Sequence, residues 1–258
     1  MKVNLFNKIT SCKKLNLPEF ETKGGIKIIK SALAKDSLRG DIVEISTMHP
    51  EVGSSPSVTF ISELGAGYPF GTHSFFIDKS SKILNGSNMN VSYFHQHRGY
   101  GELMRLASIV HMKENGLVKN SIEALSQAIP FHYKYGFRPD YEGFLANNSN
   151  PFPAGENSPF NLLLGSLWAL THNKGLSRTS KDKANFLIDT LMNKSGLEKK
   201  DLKVLDSMMV EYIEKHIENW DPHLMIDDVP MSLAMSKVEE NASFYNELYE
   251  KHSIDYGV

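Results

Sequence analysis

The chain has 258 residues, of which 41% are hydrophobic and 22% are charged, and its net charge at neutral pH is −2. This composition is typical of a globular protein with a sizeable core and excludes collagen-like and disordered classes. A near-neutral chain without a basic run interleaved with aromatic residues argues against nucleic-acid binding. No apolar run approaches the ~18 residues of a membrane span and no signal-peptide pattern is present, so we expect neither membrane insertion nor export.

Cysteine usage points to the compartment. Cys12 is the single cysteine of the chain, so no internal disulfide can form. This usage is typical of a reducing compartment, and we predict a cytoplasmic protein in which Cys12 is an inert thiol.

The first 150 residues alternate short β-type runs with turn-forming residues. Strands are predicted at residues 26–29, 41–47, 57–61, 73–77 and 91–94. Turns are predicted at 53–57, at 65–71 and at the Gly86-Ser-Asn sequence. The pattern indicates an α+β fold with a mixed, mostly antiparallel sheet and flanking helices.

The character of the chain changes after a stretch rich in Asn, Pro, Ser and Gly at 147–159, which we interpret as a linker. Helices are predicted at residues 160–172, 180–193, 201–218 and 230–252, with Ser180 as an N-cap. We therefore expect a domain over residues 1–150 and an all-helical region over 151–258.

Residues 96–101 read Gln-His-Arg-Gly-Tyr-Gly and lie between a predicted strand and a predicted helix at 102–114 that ends at Gly116. A turn of this kind leaves main-chain N–H groups at the positive end of the helix dipole, which favours phosphate binding. Glycine has no Cβ, so a diphosphate can approach the main chain closely.

A second pattern follows at residues 128–137, Ala-Ile-Pro-Phe-His-Tyr-Lys-Tyr-Gly-Phe. Pro130 is tolerable only near a first helical turn, so this helix should start around Gln127. Over residues 40–142 the two motifs resemble the GNAT superfamily of N-acyltransferases. In that family the loop Q/R-x-x-G-x-G holds the diphosphate of acetyl-coenzyme A, and a later helix ending in Gly-Phe runs beside it. The matching positions of the second motif are Ala128, Phe131, Gly136 and Phe137.

The resemblance implies a GNAT-like sheet whose two central parallel strands splay apart to admit the pantetheine arm. It also implies that acetyl-coenzyme A, or a related acyl-coenzyme A, donates the acyl group to an amine without a metal. Leu125 stands where the family has a pantetheine-binding asparagine. Ser126 or Gln127 would then make the contact that this asparagine makes. The expected cofactor-binding residues are Val91, Tyr93, Gln96, His97, Arg98, Gly99, Tyr100, Gly101, Glu102 and Ser126.

Acyl transfer needs a base for the amine and an acid for the departing thiolate. Many family members use a tyrosine as the acid, and His132 occupies that position here, with Tyr133 as a second candidate. His132 fits an acid–base role and a packing role equally. For the base, Glu63 is the candidate, while Glu44 and His95 stay as alternatives; each glutamate also fits a plain ion-pair role.

Other classes find less support in the sequence. No Cys/His/Asp cluster has zinc-ligand spacing, and no G-x-S-x-G pattern indicates a hydrolase. The substitution at His132 keeps open a non-catalytic acyl-coenzyme A sensor or scaffold, and the helical region keeps open a protein-interaction module. We expect that region to shape access of a small-molecule or peptide amine, or to form a homodimer.

Overall fold

The computed structural model describes residues 19–21, 26–50, 55–63, 68–147, 159–172, 176–194, 196–224 and 228–254. The chain forms two compact units: unit 1 consists of Met1–Asn120 and Ala234–Val258, and unit 2 of Ser121–Leu233. Cys12, most of the predicted linker, and parts of the predicted turns at 53–57 and 65–71 lie outside the described residues.

Unit 1 contains an antiparallel meander in which each strand pairs with the next. Its strands are β1 (Glu19–Glu21), β2 (Ile26–Lys35), β3 (Ile42–Pro50), β4 (Ser57–Glu63), β5 (Gly71–Asp78) and β6 (Ile83–Val91). Alternate residues of β3 and β4 are buried, which is the pattern of a sheet with one covered face. Helix α1 (Tyr100–Glu114) packs against β4, β5 and β6, and most of its residues are buried.

The predicted turn at Gly86-Ser-Asn is wrong. These residues lie inside β6, where Ser74 pairs with Asn88 and Phe75 with Gly86, so the register shifts by one residue. The sequence signature of a turn here marks a β-bulge, which also uses small and polar residues. The reversal occurs after Asp78, whose carboxylate accepts hydrogen bonds from the amides of Ser80 and Ser81.

Unit 2 has the strand order β7 (Lys119–Ala124, which begins in unit 1), β9 (Val229–Ala234) and β8 (Arg138–Pro139). Its helices are α2 (Ile129–Lys134), α3 (Tyr141–Asn147), α4 (Pro159–His172), α5 (Arg178–Lys194) and α6 (Lys199–His216). Helix α4 packs against α5 and α6 around fully buried leucines such as Leu167, Leu191 and Leu205. Pro130 stands in the first turn of α2, as the sequence predicts.

Two predictions about the C-terminal region are wrong in detail. The predicted helix at 230–252 begins as strand β9 and continues as α7 (Met235–Glu240) and α8 (Ala242–Lys251), because β9 pairs with β8 and Asn241 interrupts the helix. Ser180 lies inside α5, and the Oγ of Ser177 accepts its amide hydrogen bond over 3.1 Å.

The predicted fold class is confirmed: an α+β protein with a mixed, mostly antiparallel sheet, flanking helices and a helical C-terminal region, in which β9 is an additional strand. The predicted boundary at residue 150 falls inside unit 2. The division into domains 1–150 and 151–258 stays a prediction, since compactness and independent folding are different properties. Among the described helices, none has both the length and the apolar character needed to cross a bilayer.

Candidate functional site

The segment between β6 and α1 contains a 3-10 turn and two residues with positive φ. Val91 ends β6 opposite Gly71, and residues Tyr93–His95 form a 3-10 turn, so the predicted strand at 91–94 is wrong beyond Val91. His97 (φ 62°) and Gly99 (φ 82°) then adopt left-handed backbone conformations. The side chains of Gln96 and His97 are exposed at this bend.

The start of α1 carries no side-chain cap. Gly99 stands at the N-cap position, and its carbonyl accepts the amide of Leu103 over 2.9 Å. The preceding amides of the first turn lie at the positive end of the helix dipole. This helix end therefore has the geometry expected of the candidate phosphate loop, which we define as residues 96–102.

Gly99 is required for a reason that the sequence did not indicate. A Cβ at this position would lie 2.6 Å from the Oγ of Ser37 and 3.0 Å from the Cε1 of His252. Because both contacts are far inside van der Waals distance, this side of the glycine is closed by protein atoms. Any ligand of the loop must approach from its opposite side.

Arg98 turns away from solvent. Its Nη2 donates to Asp36 Oδ2 over 2.5 Å and to Asp41 Oδ2 over 2.9 Å, and its Nη1 donates to Glu63 Oε1 over 2.8 Å. Burial alone would raise the pKa of Asp36, but hydrogen bonds from the amides of Arg39 and Leu38 and from Arg98 hold it below its usual value. The guanidinium predicted to contact phosphate is thus occupied by three carboxylates.

The structure brings Glu63 and Arg98 together. Glu63 ends β4, and 40% of its side-chain surface is exposed although it accepts the hydrogen bond from Arg98. Asp36 and Asp41, which flank the β2–β3 turn, complete the cluster. No spacing in the sequence identifies these four residues as partners, because they come from three separate segments.

An aromatic stack lies beneath the loop. The rings of Phe70 and His95 are 3.9 Å apart and nearly parallel, and the Tyr100 ring lies 6.5 Å from Phe70. Burial raises the pKa of Tyr100 to about 12, so this phenol stays protonated. Tyr93 and Phe94, by contrast, are exposed and meet edge to face at 5.7 Å.

Glu102, in the first turn of α1, is buried beside the buried His252 and the exposed Lys251. Its Oε1 lies 2.7 Å from His252 Nε2 and 2.6 Å from Lys251 Nζ. The sequence predicts Glu102 as a loop residue but carries no signal for His252, which follows α8 at the other end of the chain.

The remaining candidates, Ser126, His132 and Tyr133, belong to unit 2. Ser126 donates to the carbonyl of Pro222, and its own carbonyl accepts from Trp220 Nε1 over 2.9 Å. These two side-chain-to-carbonyl hydrogen bonds fix the turn that precedes α2.

His132 and Tyr133 lie side by side on α2 in different surroundings. The buried His132 ring contacts Phe131 and Phe137. The Tyr133 hydroxyl donates to Glu214 over 2.7 Å, and burial together with this bond raises its pKa to about 12. The Tyr133 proton is therefore held by a neighbouring carboxylate.

The described residues contain no group of three or more His, Cys, Asp or Glu side chains placed to hold a metal ion. No protein-family model and no curated protein matches the chain.

Solved structures similar to part of the chain include acetyltransferases. Tetrahymena GCN5 is 17% identical with a TM-score of 0.36, over 41% of this chain and 66% of its own. The ribosomal-protein-S18-alanine N-acetyltransferase of Escherichia coli is 15% identical with a TM-score of 0.31, over 34% and 57%. A GNAT family acetyltransferase of Elizabethkingia anophelis with acetyl-CoA bound is 18% identical with a TM-score of 0.32, over 45% and 89%.

Each of these structures is thus similar to less than half of this chain, at under 20% identity. The chain spans 66% of the length of Tetrahymena GCN5 and 57% of that of the ribosomal-protein-S18-alanine N-acetyltransferase.

Proposed function

We propose that this protein is a GNAT-type N-acyltransferase that moves an acetyl or related acyl group from acyl-coenzyme A to an amine. The observation that carries the proposal is the uncapped start of α1 behind the Gln96–Gly101 bend. Main-chain amides of the candidate phosphate loop would hold the diphosphate, with the exposed side chains of Gln96 and His97 as further donors.

The roles of the other predicted cofactor residues follow from their surroundings. Tyr93 is exposed beside the loop, and Val91 ends the strand before it, so both fit contacts to the pantetheine arm. Arg98, Tyr100 and Glu102 are buried, and we assign them to holding the loop in shape. Ser126 stays a proposed pantetheine contact, in place of the asparagine that the family has at the position of Leu125.

The chemistry needs no covalent enzyme intermediate. The amine nitrogen forms a bond to the acyl carbon, the carbon–sulfur bond breaks, and the thiolate of coenzyme A takes up a proton. We propose His132 as the acid, since the Tyr133 hydroxyl already donates its hydrogen bond to Glu214. Glu63 is the proposed base, because its side chain is partly exposed beside Arg98 of the loop.

The acceptor is proposed to be a small-molecule or peptide amine. We also propose that the protein forms a homodimer. A cytoplasmic location is part of the same proposal, and the single cysteine is typical of such a reducing compartment.

Calorimetric titration with acetyl-coenzyme A tests the function. We expect the wild type to bind with a dissociation constant between about 1 μM and 1 mM, the range of ordinary enzyme substrates. Gly99→Val should weaken binding at least about tenfold, because the added side chain collides with Ser37 and His252 and displaces the loop.

Gly116→Val is the matched control. Gly116 also has a positive φ, 62°, but nothing lies within 4 Å of a Cβ there, so the backbone strain is similar without a collision. This variant should bind acetyl-coenzyme A like the wild type. Absence of binding by the wild type, at concentrations where it is folded, would refute the proposal.

A further inference from the structure

His252 links two distant segments of unit 1. The side chain is fully buried; its Nδ1 lies 2.6 Å from the carbonyl oxygen of Lys35, and its Nε2 lies 2.7 Å from Glu102 Oε1. Its own carbonyl accepts the amide of Lys35 over 2.9 Å. The residue therefore ties the end of β2 to the first turn of α1.

The same residue touches the candidate phosphate loop directly. The Cε1 of His252 would lie 3.0 Å from a Cβ on Gly99, and the Arg98 carbonyl accepts the amide of Ser37 over 2.9 Å. The second half of the loop is thus enclosed between the β2–β3 turn and the segment after α8.

The hydrogen-bond partners assign the protons of the ring. The Lys35 carbonyl can only accept, so Nδ1 donates to it, and Nε2 faces a carboxylate oxygen. A ring that carries a proton on both nitrogens satisfies both partners. The Lys251 Nζ lies 2.6 Å from the same carboxylate oxygen, so His252 and Lys251 share Glu102 Oε1.

The consequence concerns anion binding. A carboxylate in the first turn of a helix competes with an anionic ligand for the same amides and the same dipole. The contacts with His252 and Lys251 occupy the Glu102 carboxylate, which reduces that competition.

We infer that His252 is a positioning residue of the candidate phosphate loop, which holds Gly99 in place and engages the Glu102 carboxylate so that a diphosphate can bind. This inference rests on the proposed function, since it assigns His252 to the same binding event.

Acetyl-coenzyme A titration of three variants tests it. We expect His252→Ala to weaken binding about tenfold, the size of a charge effect at a partly buried helix end. In the double variant with Glu102→Gln, which removes the carboxylate that Lys251 alone would still hold, affinity should return to within about threefold of the wild type. A double variant as weak as His252→Ala would overturn the inference, and so would wild-type affinity in His252→Ala.

Tyr249→Phe controls for simple loosening of α8. Its hydroxyl donates to the carbonyl of Leu106 over 2.9 Å, on the same helix but away from the loop. This variant should lose stability while it binds acetyl-coenzyme A like the wild type. A loss of affinity as large as that of His252→Ala would show that any loosening of α8 has the same effect, and would overturn the inference.

Hydrogen exchange without ligand separates the two proposals. We expect the amides of residues 99–103 to exchange at least about tenfold faster in His252→Ala than in the wild type, but not in Tyr249→Phe. If the wild type does not bind acetyl-coenzyme A, the proposed function fails, and these rates alone decide whether His252 holds the loop. Unchanged exchange in His252→Ala would overturn the positioning role even if acetyl-coenzyme A binds.

Discussion

Arg98 and Asp36, 62 residues apart in the chain, form a buried ion pair in which Nη2 donates to Oδ2 over 2.5 Å. The Asp36 side chain is completely buried, whereas about half of the Asp41 side chain, on the same guanidinium, is exposed. The two carboxylates therefore depend on Arg98 to different degrees.

We predict that Arg98→Gln lowers the free energy of unfolding by about 3 kcal/mol, because it leaves a buried carboxylate without its counter-charge. Asp41→Asn, the matched control, should cost less than about 1 kcal/mol, since the lost pair is half-exposed. Urea denaturation monitored by fluorescence measures both, and equal losses in the two variants would contradict the assignment of Asp36 as the main partner.

Acidification should destabilise unit 1 through two buried histidines. Burial lowers the pKa of His111 to about 3, and burial near Arg105 also lowers the pKa of His73 well below its usual value. Because both rings are neutral in the fold and protonate more readily when unfolded, their stabilisation is complete above about pH 6.5 and is lost as the pH falls below it. We expect His111 alone to remove about 2 kcal/mol of unfolding free energy between pH 7 and pH 5.

Denaturant unfolding at several pH values checks this dependence. In His111→Gln, whose amide can still bond to the Oγ1 of Thr47, the free energy of unfolding should change less steeply with pH than in the wild type. The exposed His97 provides the control: His97→Asn, which tolerates the same left-handed conformation, should leave the slope unchanged. Identical slopes in His111→Gln and the wild type would exclude His111 as the source.

Asp206 should show the opposite pH dependence in unit 2. Burial raises its pKa to about 7, although its Oδ1 accepts the amide of Tyr141 over 2.7 Å. A carboxyl whose pKa is higher in the fold than in the unfolded chain stabilises the protein at low pH, and that contribution is lost as the pH rises from about 4 to 7.

We therefore expect Asp206→Asn to raise the free energy of unfolding at pH 8 by about 1 to 2 kcal/mol, a value that allows for partial solvent screening. At pH 4 the gain should vanish. Asp206→Ala removes the acceptor for the Tyr141 amide and should destabilise at both pH values. Melting temperatures at pH 4 and pH 8 distinguish the three proteins, and a loss of stability in Asp206→Asn at pH 8 would refute the burial argument.

His132→Ala tests the proposed acid. Without a proton donor for the thiolate, kcat for acyl transfer should fall about a hundredfold, while KM for acetyl-coenzyme A changes little. Lys134→Ala, at an exposed position of the same helix, is the control and should keep the wild-type kcat. Full activity of a correctly folded His132→Ala would restrict His132 to packing against Phe131 and Phe137.

Local features were predictable where a few adjacent residues decide the backbone. The helix after the bend ends near Gly116, which has a φ of 62°, and α2 accommodates Pro130 in its first turn, as predicted. The bulge at Gly86 and the cap of α5 at Ser177 were not predictable from residue type, because small polar residues serve turns, bulges, caps and helix interiors alike.

Strand β9 and the interior of the loop depend on distant partners. Strand β9 lies between β7 and β8, and its Met231 and Ser232 pair with β8, which begins about ninety residues earlier; this pairing outweighs the helical pattern of the surrounding sequence. A local pattern carries no information about such a partner.

The order strand, glycine bend and helix, and with it the resemblance to GNAT acyltransferases, was determined by the sequence alone, since hydrophobic periodicity and glycine's backbone freedom act over a few residues. The tertiary structure decided the direction of the charged side chains around that bend. Arg98 faces Asp36, and Glu102 faces His252, which is 150 residues away in the chain. A buried charged side chain is stable only beside a hydrogen-bonding or oppositely charged partner, and the fold decides which residue that is.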